Sequence, residues 1–356
     1  MRKVSKIAAV ALVGALALTG CGSKSGSGGG SSSSADNDIC KTSKSGDGPK
    51  IGLAYDVGGR GDQSFNDSAA AGLDQAVDEF GVESDESEAT DGEAESAREE
   101  RLVTFADAGY DPIIAVGFAY AESVGKVAEQ YPDTHFAIID DSSLADVPNV
   151  ASLVFAEEQG SFLVGAAAAL KSEAGHIGFV GGVETPLIAK FAAGYKAGAE
   201  AVNPDITIDS VYLTQPPDFS GFGDPAKGKT AAQGMYDAGA DIVYHAAGGS
   251  GGGVFEAASE AGAKAIGVDS DQYNTADPSV QGVILTSMLK NVNVAVYNYL
   301  SEVVGGTFPA GTNSYDLSVD GVGYSTSGGQ VDDIVADLDG YKQQIIDGEI
   351  EVPTAP

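Results

Sequence analysis

Residues 50–67 read KIGLAYDVGGRGDQSFND, an apolar run that gives way to a glycine-rich polar loop. The run 50–55 predicts a strand, and apolar side chains then recur at helical spacing between residues 69 and 80. A strand, a short loop and a helix form the repeating unit of a parallel sheet whose faces are covered by helices. The stretch therefore predicts an α/β fold.

The same alternation of strand and helix continues along the chain. Further strands are predicted at 112–117, 135–140, 176–182, 241–247, 263–269 and 282–288. Amphipathic segments separate them at 120–131, 159–172, 186–202, 226–238 and 253–262. This many units exceeds one modest sheet, so we predict two α/β lobes, each a doubly wound, mostly parallel sheet.

The composition is that of a globular and strongly acidic chain. Its 356 residues are enough for two domains, and hydrophobic residues make up 43% of them. The formal net charge is -33, from 52 acidic and 19 basic residues. Such a charge repels nucleic acids and anionic membrane surfaces and disfavours polyanionic ligands, so we predict no nucleic-acid partner.

The N-terminus carries a bacterial export pattern. Arg2, Lys3 and Lys6 form a basic start, and residues 7–18 form an apolar segment too short to span a bilayer with any margin. The letters LTGC that follow resemble a lipobox, in which Cys21 is acylated and becomes the mature N-terminus. The pattern therefore predicts a lipoprotein signal peptide.

Removal of that signal peptide, residues 1–20, leaves residues 21–49 as a Gly/Ser-rich tether between the lipid and a globular body. Acyl chains contribute about 0.8 kcal/mol per buried methylene, so several of them anchor stably. Cys40 is the only other cysteine and has no intrachain partner once Cys21 is acylated. Cysteine-based metal sites and redox CxxC motifs are therefore excluded.

Polar groups follow several of the predicted strands. Asp56 follows the first strand, Asp140 ends the strand 135–140, and Asp269 ends the strand 263–269. The glycine loop 248–253 follows another strand. Because ligands of doubly wound sheets bind beyond the carboxyl ends of the strands, we predict that these groups converge on one site.

The glycine loop invites two enzymatic interpretations, and both fail. GGSGG at 248–252 fits the nucleophile elbow, but such a hydrolase needs a later acid and then a later histidine, and none follows His245. As a dinucleotide fingerprint, GSGGGV at 249–254 lacks the third required glycine. We therefore predict no enzymatic activity and no cofactor. The glycines could form a tight strand-to-helix turn, or they could let backbone N–H groups approach a neutral ligand closely.

Two other motifs point to functions that the sequence does not support. In ESDESEATDGEAESAREE, residues 83–100, Arg98 falls where a calcium loop needs its final glutamate, so we predict no metal and a solvated edge strand followed by a helix start. The tripeptide Arg60-Gly61-Asp62 is an integrin-type motif, but three letters occur often by chance. No adhesive role is predicted.

Motifs spread over nearly the whole chain after residue 50 carry one family resemblance: YDVGGRGDQSFNDSAAAGL, HFAIIDD, PNVASLVFAEEQGSFLVGAAAAL, HIGFVGGVETPLIAKFAAGYKAG, FGDPAKGKTAAQGMYDAGADIVYHAAGGSG, IGVDSDQY and ILTSMLKNV. Through them the chain resembles the basic membrane protein family, the substrate-binding lipoproteins of ABC transporters. The best understood members bind purine nucleosides. The resemblance implies a periplasmic-binding-protein type I fold with a cleft between two lobes, at 50–155 with 282–312 and at 156–281 with 313–356.

The resemblance also implies which residues bind the base. Phe65 and Phe222 are expected to stack on its two faces, each stack being worth about 1–3 kcal/mol. Asp56, Asn66 and Asp140 are expected to hydrogen-bond its edge, which carries donors and acceptors.

The resemblance also implies which residues bind the sugar. Asp269 is expected to accept hydrogen bonds from the two ribose hydroxyls, because one carboxylate suits two donors. Lys290 is expected beside the sugar, and Gly248 and Gly249 offer backbone close to it. Aspartates in such a cleft repel phosphate, which favours a nucleoside over a nucleotide.

The residues alone leave other roles open. Both rings could belong to the core, and either Asn66 or Asp67 could cap the helix that follows them. Asp140 could simply end its strand, Asp271 could be the sugar contact, and Lys290 could be a counter-ion for an aspartate.

The predicted function is therefore that of a monomeric, lipid-anchored solute-binding protein on the extracytoplasmic side of the cell membrane. It captures a nucleoside, in the first instance a purine nucleoside, by closure of two lobes. It then delivers the ligand to an ABC permease and its ATPase. The alternative is a sugar or another small polar metabolite in the same cleft.

Overall fold

The computed structural model describes residues 48–90 and 92–356. The predicted signal peptide, Cys21, Cys40 and nearly all of the tether lie outside these residues. Within the described part of the chain, no helix is both long and apolar enough to cross a membrane.

The first lobe is built on a six-stranded sheet in which every neighbouring pair is parallel. In order across the sheet, its strands are β2 (Glu83–Ser87), β1 (Lys50–Ala54), β3 (Ile113–Ala115), β4 (Phe136–Ile139), β5 (Val150–Phe155) and β11 (Gly311–Tyr315).

The second lobe repeats the same strand order. Its sheet runs β7 (Thr207–Thr214), β6 (His176–Val183), β8 (Ile242–Ala246), β9 (Lys264–Asp269), β10 (Ile284–Lys290) and β12 (Val322–Tyr324). The last of these strands pairs antiparallel to its neighbour, and the others are parallel.

Helices connect the strands and cover the sheets. They are α1 (Phe65–Phe80), α2 (Glu95–Asp107), α3 (Ala121–Gln130), α4 (Glu157–Lys171), α5 (Pro186–Val202), α6 (Pro225–Asp237), α7 (Gly251–Ala261), α8 (Gln272–Thr275), α9 (Val292–Val304) and α10 (Val335–Ile346). The strand–helix repeats confirm the predicted two-lobed α/β class with mostly parallel sheets.

The chain passes between the lobes after β5, after β10 and after β11. Helix α9 lies in the first lobe, where Tyr297 stacks on Phe80 of α1 with ring centroids 5.4 Å apart. The predicted segment 282–312 is therefore divided, because β10 pairs in the second sheet while α9 packs in the first lobe. Strand β11 also belongs to the first sheet, although most of it was expected in the second lobe.

Strand β2 lies at the edge of its sheet, as predicted, but it is not solvated. The side chains of Ser84, Asp85, Glu86 and Ser87 are all buried. Each acidic group has a partner in the interior: the hydroxyl of Tyr55, for example, donates to Glu86. Burial of charged side chains is tolerated where they are paired and hydrogen-bonded, and the sequence alone does not reveal those partners.

Candidate functional site: the interlobe cleft

A cavity lies between the two lobes at the carboxyl ends of the strands. It contains about 560 Å³ of space not filled by protein atoms, a volume that includes the solvent at its opening. Most of the predicted ligand-binding residues line it: Asp56, Phe65, Asn66, Asp140, Phe222, Gly248, Asp269 and Lys290. Gly249 follows in the same turn but is not part of the cavity wall.

Asp62 holds the start of helix α1. Its carboxylate accepts hydrogen bonds from the backbone N–H groups of Ser64, Asn66 and Asp67, at 2.9, 2.8 and 3.1 Å. The carboxylate of Asp67 instead accepts from the backbone N–H of Gly61, at 2.6 Å. The cap is therefore neither of the two residues considered from the sequence, but a residue of the preceding loop.

The side chain of Asn66 is used within the same loop. Its Oδ1 accepts from the backbone N–H of Asp56 at 3.1 Å, and its Nδ2 donates to Val57 O at 3.3 Å and to Asp62 Oδ2 at 3.0 Å. Both amide hydrogens are thus occupied by the protein. This arrangement favours a role in which Asn66 fixes the loop and so positions Asp56.

Arg60 ties the loop to the neighbouring strand and helix. Its Nε donates to Glu86 at 2.9 Å, and its Nη1 donates to Asp74 at 3.1 Å. With Arg60 paired to two carboxylates and Asp62 capping a helix, the RGD tripeptide is part of the internal scaffold of this loop.

Asp56 lies two residues after the end of β1 and borders the cavity. Gly117 approaches it so closely that a Cβ at position 117 would lie 2.7 Å from Asp56 Oδ2, and Gly117 has a φ of +104°. Burial raises the pKa of the Asp56 carboxyl to about 6, although the backbone N–H of Val57 donates to it and opposes the shift. Asp56 therefore changes charge close to neutral pH.

Asp140 and Asp269 leave their strands through left-handed backbone turns, with φ of 71° and 63°. Such conformations cost non-glycine residues on the order of 1–3 kcal/mol and cluster at functional sites. Burial raises the pKa of both carboxyls, and the ammonium of Lys290 opposes this in both. The strained turns place one carboxylate from each lobe in the cavity wall.

Asp271, the alternative sugar contact, faces elsewhere. Its Oδ2 accepts from Asn274 Nδ2 at 2.8 Å and from the hydroxyl of Ser327. Asp271 does not line the cavity, whereas Asp269 does. The geometry therefore favours Asp269 of the two.

Lys290 is completely buried at the end of β10. Its Nζ lies 2.6 Å from Asp140 Oδ2 and 3.1 Å from Glu157 Oε1. Three rings surround the ammonium at 5.1–5.6 Å from their centroids: Phe65, Phe155 and Phe191. Burial disfavours the charge, but Asp140 and Glu157 outweigh it and hold the pKa of Lys290 above its usual value. Lys290 thus acts as a counter-ion while it also lines the cavity.

Phe65 and Phe222 come from opposite lobes. Phe65 begins α1, and Phe222 ends a short 3-10 turn at Ser220–Phe222. Both rings are only partly buried and line the cavity. A Cβ on Gly182 would collide with the Phe222 ring, so the glycine lets this ring lie directly on the backbone of β6. The two rings therefore form part of the cleft wall and do not fill the core.

Sequence reasoning missed the apolar wall contributed by α5. Leu187, Ile188 and Phe191 line the cavity from the first turns of this helix. The signal was present: Thr185 caps the helix by accepting from the Ile188 N–H at 3.3 Å, and Pro186 is its first residue. A helix that starts directly after β6 must start at the carboxyl edge of the sheet.

Phe118, also missed, lines the cavity from the turn after β3. Its ring meets that of Phe219 from the other lobe edge-to-face, with centroids 5.9 Å apart. The pair brings an aromatic contact to the boundary between the lobes.

Three hydrogen bonds form a clasp between the lobes. Ser64 Oγ donates to Asp269 Oδ2 at 2.6 Å, and Ser270 Oγ donates back to Ser64 O at 2.9 Å. Gln272 Nε2 donates to Gln63 O at 3.1 Å. The structure is therefore that of a closed cleft.

Comparison with known proteins identifies the family. Residues 50–355 match the family model described as ABC transporter substrate-binding protein, PnrA-like (Bmp). This chain belongs to the Bmp family. It is consequently the substrate-binding component of an ABC transporter on the extracytoplasmic side of the membrane, with a small-molecule ligand and a permease–ATPase partner, and it is not an enzyme.

Individual relatives agree with this assignment. The ABC transporter nucleoside-binding protein BmpA of Lactococcus lactis is 32% identical over 374 residues, covering 99% of each chain. An uncharacterized lipoprotein of Pyrococcus abyssi is 34% identical, covering 83% of this chain and 70% of the relative. The crystal structure of an ABC transporter solute-binding protein from Aeropyrum pernix superposes with a TM-score of 0.74 at 31% identity, covering 86% and 93% of the two chains.

The glycine loop of this Bmp protein contains no catalytic serine. Ser250 is fully buried; its Oγ donates to Gly221 O at 2.7 Å and accepts from the Asp224 N–H at 2.8 Å. Both hydrogen bonds hold the turn that carries Phe222. The serine of the GGSGG motif is therefore a structural support for the cleft wall.

Proposed function

We propose that this Bmp protein captures a purine nucleoside in the interlobe cleft and delivers it to the permease. The observation that carries the proposal is the composition of the cavity wall: one aromatic ring from each lobe, Phe65 and Phe222, together with buried carboxylates from both lobes. Rings bind the apolar faces of a base, and carboxylates accept hydrogen bonds from its edge and from ribose hydroxyls. The name of the Lactococcus lactis relative supports the same ligand class.

Charge argues for a nucleoside over a nucleotide. The cavity wall carries Asp56, Asp62, Asp140 and Asp269 against Lys290. Lys290 is already paired with two carboxylates, so its charge is not free to receive a phosphate. A phosphate transferred from water into this surrounding would lose hydration and meet like charges.

A ligand screen tests the proposal. We expect inosine, guanosine and adenosine to raise the unfolding temperature of the full-length chain in detergent, because a ligand at 100 times its dissociation constant stabilises by about 2.7 kcal/mol. The free bases, the 5′-monophosphates and neutral sugars are the matched controls, followed by calorimetry on any ligand that responds. A response to sugars with none to nucleosides would refute the nucleoside assignment and leave the family assignment intact.

Lipid anchoring through Cys21 is part of the same proposal. It is supported by the lipobox-like letters LTGC and by the lipoprotein relative. We expect the chain expressed in a bacterium to sediment with membranes, and we expect Cys21→Ser to release it into the soluble fraction. Cys40→Ser serves as the control and should leave membrane association unchanged; release by both variants, or by neither, would contradict the assignment.

Binding and stability should respond to pH in opposite directions. The pKa of Asp56 is raised by burial to about 6, so at pH 5 only about a tenth of this carboxyl is ionised and ligand affinity should fall about tenfold from pH 7. A raised pKa means that the folded state binds the proton more tightly than the unfolded state does. Asp56 therefore stabilises the ligand-free protein progressively as pH falls from about 6 to about 4.

Calorimetry with inosine and urea unfolding, each at pH 7 and pH 5, measure the two effects. In Asp56→Asn the acid limb of the affinity profile should become shallower, and what remains reports Asp140 and Asp269, whose pKa values burial also raises. An affinity that stays constant from pH 7 to pH 5 in the unmodified protein would exclude an ionised Asp56 as a ligand contact.

A further inference from the structure

Glu157 is a buried acid that neither lines the cavity nor belongs to the predicted site. It is the first residue of α4 and comes two residues after β5, where the chain first passes from one lobe to the other. Its side chain is only 1% exposed. Its two oxygens face two lysines: Oε1 lies 3.1 Å from Lys290 Nζ, and Oε2 lies 3.2 Å from Lys190 Nζ on α5.

Lys290 lies at the second passage between the lobes, at the end of β10. Its ammonium is enclosed by three rings, so ring faces and carboxylates take the place of water around the charge. Two carboxylates pair with it: Asp140 of the first lobe accepts a hydrogen bond, and Glu157 of the second lobe forms an ion pair without hydrogen-bond geometry. Of these two, only Asp140 lines the cavity.

Asp140 has one oxygen left for a ligand. Its Oδ2 is bound to Lys290 at 2.6 Å, whereas its Oδ1 is buried and has no hydrogen-bond partner among the described residues. A buried acceptor without a partner destabilises the ligand-free protein, and a ligand donor at this atom would offset that cost. The orientation of Asp140 therefore matters for binding, and Lys290 is the group that sets it.

We propose that Glu157 is a positioning residue for the ligand site: by anchoring Lys290 from the second lobe, it fixes the Asp140 carboxylate with its free oxygen toward the cavity. The proposal deepens the nucleoside-binding function and rests on it. With one anchor from each lobe, the ammonium has a defined place. With Asp140 as its sole anchor, the ammonium follows that carboxylate instead of fixing it. The ion chain also joins the first two of the three passages between the lobes, so it is assembled only in one relative arrangement of the lobes.

Two substitutions at Glu157 separate charge from packing. Glu157→Gln keeps the shape and removes the charge, whereas Glu157→Asp keeps the charge and shortens the side chain. Calorimetry with inosine on the full-length chain should show about tenfold weaker binding for Glu157→Gln, about 1.4 kcal/mol, and a smaller loss for Glu157→Asp. A residue that matters only through packing would give the reverse order.

The matched control is Glu256→Gln, which removes a carboxylate from the exposed pair with Lys229 in the same lobe and should leave affinity unchanged. A double-mutant cycle tests whether Glu157 acts on binding through Lys290. If it does, Glu157→Gln should weaken binding no further in a Lys290→Met background. Full additivity would overturn the proposed route.

The outcomes distinguish the two proposals. If the unmodified chain binds none of inosine, guanosine and adenosine, the nucleoside function fails and the inference fails with it. If the chain binds inosine and Glu157→Gln binds it equally well, the inference alone is overturned. Should Glu157→Gln not fold, Lys190→Met decides, because it removes only the outer, partly exposed end of the ion chain. We expect about threefold weaker binding from that variant, and unchanged affinity would contradict the proposal.

Discussion

Phe222→Ala is expected to weaken purine nucleoside binding about 10- to 100-fold, because stacking of a base on an aromatic ring contributes about 1–3 kcal/mol. The fold should persist, since this ring is only partly buried and forms part of the cavity wall. Phe65→Ala, on the opposite lobe, should have an effect of similar size. Calorimetry with inosine measures the affinity, and urea unfolding of the ligand-free protein measures stability.

The matched control lies at the other end of the same helix. Phe80 ends α1, as Phe65 begins it, and stacks on Tyr297 away from the cleft. Phe80→Ala should leave affinity unchanged and alter only stability. If Phe222→Ala unfolds the protein, the ring belongs to the core; if affinity does not change, no base stacks on it.

Lys290→Met should be the most destabilising substitution in the site, with a loss of roughly 3–5 kcal/mol at pH 7.5, because it leaves buried charges uncompensated. Asp140 and Glu157 would then face each other without the ammonium that lies between them. Urea unfolding monitored by circular dichroism gives the magnitude.

The same variant should recover stability on acidification. Burial already raises the pKa of Asp140, and Lys290 opposes that rise. Without Lys290 the folded state binds a proton more tightly than the unfolded state does, so the variant gains stability as pH falls from 7.5 toward 5. Lys126→Met, which removes an exposed lysine from Glu99 and Glu122, is the control and should leave stability nearly unchanged, because exposed ion pairs contribute little. Equal, pH-independent stability of Lys290→Met and the unmodified chain would refute the ion-pair argument.

Most inner strands of both sheets could be predicted from the sequence because each is a short apolar run between turn signals; the exception is β5, an apolar inner strand that was not among those predicted. Strands β7, β11 and β12 were not predicted either. They read TIDSVYLT, GTNSY and VGY, and all three lie at or beside a sheet edge. At such positions pairing is decided by the neighbouring strand and not by the apolar content of the segment, so local pattern carries little information.

The residues of the site fall into the same two groups: some are revealed by a local sequence pattern, and others depend on the tertiary fold. Asp56, Asp140 and Asp269 could be found because they occupy the ends of recognisable strands. Glu157 could not be found in this way, because its role depends on contact with Lys290, which is 133 positions away in sequence. Two passages of the chain between the lobes bring the two residues together. Asn66 was found, but its hydrogen bonds within the loop could not be foreseen, since they depend on how the loop folds back on Asp56.

The clasp between the lobes separates closure of the cleft from recognition of the ligand, two properties that are often treated as one. Ser270 and Gln272 do not line the cavity, and they donate to main-chain carbonyls of Ser64 and Gln63. Their contribution to closure is therefore the same whichever ligand is inside. Affinity has a common part, set by these two hydrogen bonds, and a chemical part, set by the rings and carboxylates, including Asp269 with its hydrogen bond from Ser64. The cavity wall can consequently diverge toward new ligands while the mechanics of closing stay as they are.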